Sequence, residues 1–213
     1  MRVEFLLSLF LMAAASGSAA TIFDNGAADN QNGFGMFNTA RGADDFSLSA
    51  ASTVQALGFY WTTGPGQNPT ASLGGTITYG LYQDSGGSLG SLVASGTVSG
   101  IGFSLTGVVN GCGTCQVAYS EFNLASAVNL AAGTYWLELH KGASFTATSS
   151  PALFWATSAQ TGNAKHDINA LPATSVNSEL AFALFDAPVG VPEPGTIGLA
   201  AAALALVAVR RRR

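Results

Sequence analysis

Leu57-Gly58-Phe59-Tyr60-Trp61, Ile77-Thr78-Tyr79-Gly80-Leu81 and Tyr135-Trp136-Leu137-Glu138-Leu139 place large apolar side chains at every second position. An extended chain sends successive side chains to opposite faces, so Leu57, Phe59 and Trp61 share one face, as do Ile77, Tyr79 and Leu81, and Tyr135, Leu137 and Leu139. Period two recurs and period 3.6 does not. Shorter strand candidates are 45–48, 92–98, 101–105, 117–124, 153–156 and 180–185. Gly64-Pro65-Gly66, Asp84-Ser85-Gly86-Gly87 and Ala132-Gly133 stand between such runs, where a reversal needs a fixed or positive φ. About eight strands with no credible helix predict an all-β body, an antiparallel β-sandwich of jelly-roll-like form around an aromatic core.

Composition excludes a disordered or nucleic-acid-binding chain. Of 213 residues 48% are apolar and only 9% charged, against about 25% charged in an ordinary soluble domain. Residues 21–190 hold three bases, Arg41, Lys141 and Lys165, against ten acids, a net charge of −7. Such a surface repels polyphosphate, so no nucleic-acid partner is expected. About 170 residues are enough to bury a core without metal or multiple disulfides, and no cofactor or metal is expected.

Both ends differ from the body. Met1-Arg2-Val3-Glu4 precedes an apolar stretch, Phe5 to Ala15, broken only by Ser8, and small residues follow through Ala20. This is the pattern of a signal peptide over 1–20, with cleavage after Ala20 by signal peptidase. Thr196 to Val209 is apolar or small throughout, and Arg210, Arg211, Arg212 and Arg213 close the chain. As a helix that segment reaches about 21 Å, short of the roughly 30 Å hydrocarbon core, so it predicts a transient transmembrane anchor with the arginines as the cytoplasmic stop. Before it stands Val191-Pro192-Glu193-Pro194-Gly195, which the prolines keep extended and accessible to a protease.

The order Val-Pro-Glu-Pro-Gly, short apolar helix, arginine cluster over 191–213 closely resembles the PEP-CTERM sorting signal of exported proteins of Gram-negative bacteria. The resemblance implies that Pro192, Glu193 and Pro194 are recognised by exosortase, a membrane-embedded transpeptidase-like enzyme. It further implies that the tail is removed after export and the body delivered to the cell surface or extracellular matrix. The family is associated with exopolysaccharide and biofilm formation. Ala43-Asp44-Asp45-Phe46-Ser47-Leu48 and Gly133-Thr134-Tyr135-Trp136-Leu137-Glu138-Leu139 are similar, more loosely, to pieces of exported PEP-CTERM proteins with a β-sandwich body.

Few residues of the body suggest chemistry. Cys112 and Cys115, the only cysteines, predict a disulfide that clips a loop, since no βαβ unit surrounds them to make a redox pair. Trp61, Trp136 and Trp155 are candidates for stacking on sugar rings, with burial in the core as the competing reading. Trp136, Glu138 and His140 share a face, either as an acid–base row along a cleft or as the solvated face of an edge strand. The loop Asp24 to Asn30, with Asp44 and Asp45, offers oxygen ligands for calcium, but Gly26 and Ala28 break the EF-hand spacing and Asx turns are the simpler expectation.

The leading expectation is an exported, non-catalytic surface or matrix protein that binds or scaffolds exopolysaccharide. The alternatives are a glycan hydrolase using Glu121, Glu138 or Asp167, and a purely structural surface subunit.

Overall fold

The alternating runs fold as strands of a computed structural model that describes residues 19–162, 164–166, 174, 175 and 177–189. In chain order the strands are β1 (Thr21–Asp24), β2 (Ala28–Gly35), β3 (Gly42–Leu48), β4 (Ser52–Thr63), β5 (Thr76–Asp84), β6 (Leu89–Ser99) and β7 (Ser104–Val109). They continue with β8 (Gln116–Leu130), β9 (Gly133–Lys141), β10 (Leu153–Ser158), β11 (Lys165–His166), β12 (Thr174–Ser175) and β13 (Phe182–Phe185).

These strands make two antiparallel sheets. One runs β1-β13-β4-β10-β2, with β8 on the other edge of β4 and β7 beyond it; the other runs β12-β11-β3-β9-β5-β6. The long β4 organises the first sheet. Its middle pairs with β13 (Leu57↔Leu184), its end with β10 (Trp61↔Trp155), and its opposite edge with β8 (Phe59↔Ser120). The chain changes sheet repeatedly, as a jelly-roll-like sandwich requires.

The period-two faces meet between the sheets. Leu57, Phe59 and Trp61 from β4, Phe122 from β8, Trp155 from β10 and Phe182 from β13 pack in one cluster with Phe46 from β3, Ile77, Tyr79 and Leu81 from β5, and Leu137 and Leu139 from β9. Rings meet edge to face at several points, including Trp155 on Phe182 (5.7 Å, 69°) and Trp61 on Phe103 (5.3 Å, 74°).

Three local expectations need correction. The body contains one helix among the described residues, α1 (Pro69–Leu73), whose signals are local: Asn68 caps it through Ala71 N–H, Pro69 opens it, and Gly74 closes it at φ 65°. The stretch expected as an acidic loop, Asp24 to Asn30, takes in the last residue of β1 and the first three of β2, and β2 (ADNQNGFG) is a strand because it pairs with β10. The strand expected at 101–105 runs instead from Ser104 to Val109, while Ile101 turns inward and donates its N–H to Gly75 O.

The core carries the stability. Trp155→Ala is expected to cost about 3–5 kcal/mol, because its ring is fully buried and its indole N–H donates to Ala181 O at 3.1 Å. Leu105→Ala, at a position 51% exposed, is expected to stay within about 0.5 kcal/mol. Equal losses of denaturation midpoint in the two variants would contradict this core.

Candidate functional sites

The even-numbered face of β9 is buried, which corrects the reading of it as a solvated edge. β9 lies between β3 and β5, and Trp136, Glu138 and His140 have no solvent exposure. Chain from outside the sheet covers them. Arg41 grips Glu138 through Nε and, at 2.6 Å, through Nη2, and its guanidinium lies 4.9 Å above the Phe145 ring. The Tyr82 hydroxyl donates to Glu138 Oε2 at 2.8 Å, and burial, followed by the Glu138 charge, holds that phenol well above its usual titration range. Gly80 makes room for the cover, since a Cβ there would stand 2.7 Å from Tyr82 and 3.0 Å from Phe145.

Glu138 and His140 therefore do not act on each other across a cleft. His140 Nε2 lies 3.0 Å from Asn38 O, which can only accept, so the proton sits on Nε2; Nδ1 is buried without a partner. A carboxylate held by a guanidinium and a phenol is a structural ion pair. Of the other carboxylates considered for hydrolysis, Glu121 is exposed with Tyr119 OH at 3.4 Å, and Asp167 lies outside the described residues.

Trp61, Trp136 and Trp155 are all fully buried, so none presents a face to a sugar. Each indole N–H is satisfied internally: Trp61 donates to Ser120 Oγ at 2.9 Å, Trp136 to Asp84 Oδ1 at 2.8 Å and Trp155 to Ala181 O. The core reading accounts for all three.

The acidic loop divides between two roles. Asp24 and Asp29 form Asx turns, accepting from Gly26 N and Gln31 N at 2.8 Å each. Asn25 turns inward and donates to Asp44 Oδ2 (3.0 Å), Glu179 Oε2 (2.8 Å) and Leu180 O (3.0 Å). Asp44, Asp45 and Glu179 bring carboxylate oxygens within 4.8 Å of one another, an arrangement that sequence spacing did not reveal because Glu179 enters from the far end of the chain. Asp44 Oδ2 also accepts from Leu180 N at 2.5 Å. Burial and the adjacent Glu179 charge push the Asp44 carboxyl up to about 9, and the same two causes raise Asp45. Asp44 is thus a buried acid that keeps its proton at neutral pH and shares a hydrogen bond with Glu179.

Cys112 and Cys115 are joined in a disulfide with Cα atoms 5.7 Å apart. The loop is pinned by Asn110 N–H to Cys115 O (2.8 Å), Gly113 N–H to Asn110 O (2.9 Å) and Gly111 N–H to Asn30 O on β2 (3.0 Å).

Of the expected signal peptide only Ala19 and Ala20 are described, and the motif Val191 to Gly195, the anchor 196–209 and Arg210 to Arg213 lie outside the described residues. Among the described residues no helix is long and apolar enough to cross a membrane. Residues 190–213 match the family model of the PEP-CTERM protein-sorting motif. That motif implies export to the cell envelope or surface and processing by an exosortase. No curated protein and no solved structure matches the chain.

The carboxyl cluster makes stability depend on pH with a definite sign. Asp44 titrates at 3.8 as a free side chain and near 9 in the fold, so the folded protein binds the extra proton between those values. The stability it contributes is complete below about pH 4 and is lost as pH rises through about 9. Denaturation midpoints are expected to fall between about pH 5 and pH 9.5, and Asp44→Asn to flatten that fall; an unchanged slope in the variant would contradict the assignment.

Proposed function

We infer that this chain is an exported, non-catalytic protein of the cell surface or extracellular matrix that binds or scaffolds exopolysaccharide once its tail has been removed. The observation that carries the reading is the sorting motif at 190–213. In it Pro192, Glu193 and Pro194 are the recognition residues, the segment 196–209 holds the chain in the membrane transiently, and Arg210 to Arg213 stop transfer.

The body supports this in two ways. β1 begins at Thr21, so signal-peptide removal after Ala20 leaves every strand intact. Glu138, the carboxylate nearest to an acid–base pair in sequence, is wholly engaged by Arg41 and Tyr82, which favours binding over hydrolysis.

Replacing Pro192, Glu193 and Pro194 together by alanine is expected to leave the full-length chain in the membrane fraction with its arginines attached. The measurement is fractionation followed by intact-mass analysis. Release of the triple variant at the wild-type level would overturn the sorting role.

A further inference from the structure

A cavity of about 550 Å³ opens between the disulfide loop, β2, and the ends of β4 and β10, within the usual range of about 300–1,000 Å³ for small-molecule sites. Gln31 and Asn32 line it from β2, Thr62 and Thr63 from β4, Phe154 from β10, and Asn110 from the base of the loop. Its shape is fixed by its neighbours. Gly111 packs so closely on β2 that a Cβ would stand 2.9 Å from Gln31 O, and a Cβ on Gly33 would stand 2.9 Å from Phe154 Cβ. Gln116 N–H donates to Thr63 Oγ1 at 3.0 Å, tying the far side of the loop to β4.

Two features point to a ligand. Asn110, 7% exposed, and the exposed Gln31 and Asn32 present side-chain amides to the cavity that make no hydrogen bond to the described residues, so their donors and acceptors are open to a ligand. Amides at a cavity wall that reach solvent are available to a polar ligand without first breaking a hydrogen bond within the protein. The lining also contains no ionisable side chain, although the body carries ten acids and three bases. Neither a metal ion nor a charged group finds a counter-charge there.

We propose that this cavity binds a neutral saccharide unit, with Asn110 as the principal hydrogen-bonding group. The inference rests on the glycan-binding reading above and gives it a site. Side-chain amides both donate and accept, which suits the paired hydroxyls of a pyranose. The half-buried Phe154 ring, braced edge-on by Phe37 at 5.5 Å and 73°, offers an apolar face for its C–H side. An added peptide strand fits less well, because the loop occupies the free edge of β2 at Asn30 through Gly111 N–H.

The test is calorimetric titration of the exported protein with cellohexaose, mannohexaose and galactohexaose, with oligogalacturonate and acetyl-tetraglycine amide as charged and peptide comparators. Binding of at least one neutral hexasaccharide is expected. Asn110→Leu is expected to weaken it at least tenfold while leaving the ligand-free melting temperature unchanged, since the side-chain amide makes no hydrogen bond to the described residues. Asn32→Ala, at an exposed position, is expected to weaken binding without touching the fold and serves if Asn110→Leu does not fold. Equal binding by both variants would overturn the cavity assignment and leave glycan binding standing elsewhere on the body. No binding of any neutral hexasaccharide, or binding only of the charged or peptide comparator, would also overturn it. Retention of the wild type on the producing cell's own exopolysaccharide separates failure of the cavity from failure of the functional reading.

Discussion

β9 is buried on both faces, and the rest of the body is arranged around that constraint. Its odd-numbered side chains, Tyr135, Leu137 and Leu139, belong to the aromatic core between the sheets. Its even-numbered side chains Trp136, Glu138 and His140 are polar or amphipathic and equally sealed, so each needs a partner within the protein. Arg41 and Tyr82 supply it for Glu138, Asp84 for Trp136 and Asn38 for His140. The consequence is a second, polar layer outside the sheet, built from the chain before β3, the end of β5 and the segment after β9. Removing one partner would leave a buried charge uncompensated, which costs more than the pair itself contributes.

The core side of this arrangement was legible in the sequence, because Leu57, Phe59, Trp61, Ile77, Tyr79, Leu81, Leu137 and Leu139 repeat with the strand period and all lie inside. The polar side was not. A row such as Trp136, Glu138, His140 reads the same whether solvent or another layer covers it, and its cover comes from Arg41, 97 residues away in sequence from Glu138. β2 was hidden for a different reason: Asp, Asn and Gly disfavour strands, and pairing with β10 overrides that preference. The carboxyl cluster and the amide-lined cavity also join distant segments, so spacing along the chain carried no trace of either. The disulfide was legible as a pair, though its place as a wall of the cavity was not.

Export, by contrast, is written in contiguous residues and needs no fold to be read. The body meets that reading at its own closure. β1 and β13 pair antiparallel, with Thr21 opposite Phe185 and Asp24 opposite Ala183, all within the chain that begins at Thr21. The first and last strands therefore clasp each other. Every core side chain among the described residues lies between them in sequence.

A body whose first and last strands pair with each other suits a cargo whose sorting tail is removed. The intact mass of the protein recovered outside the cell tests this directly. The account predicts a chain that begins at Thr21 and lacks Thr196 to Arg213; an extracellular chain that keeps both Phe5 to Ala15 and the arginine cluster would contradict it.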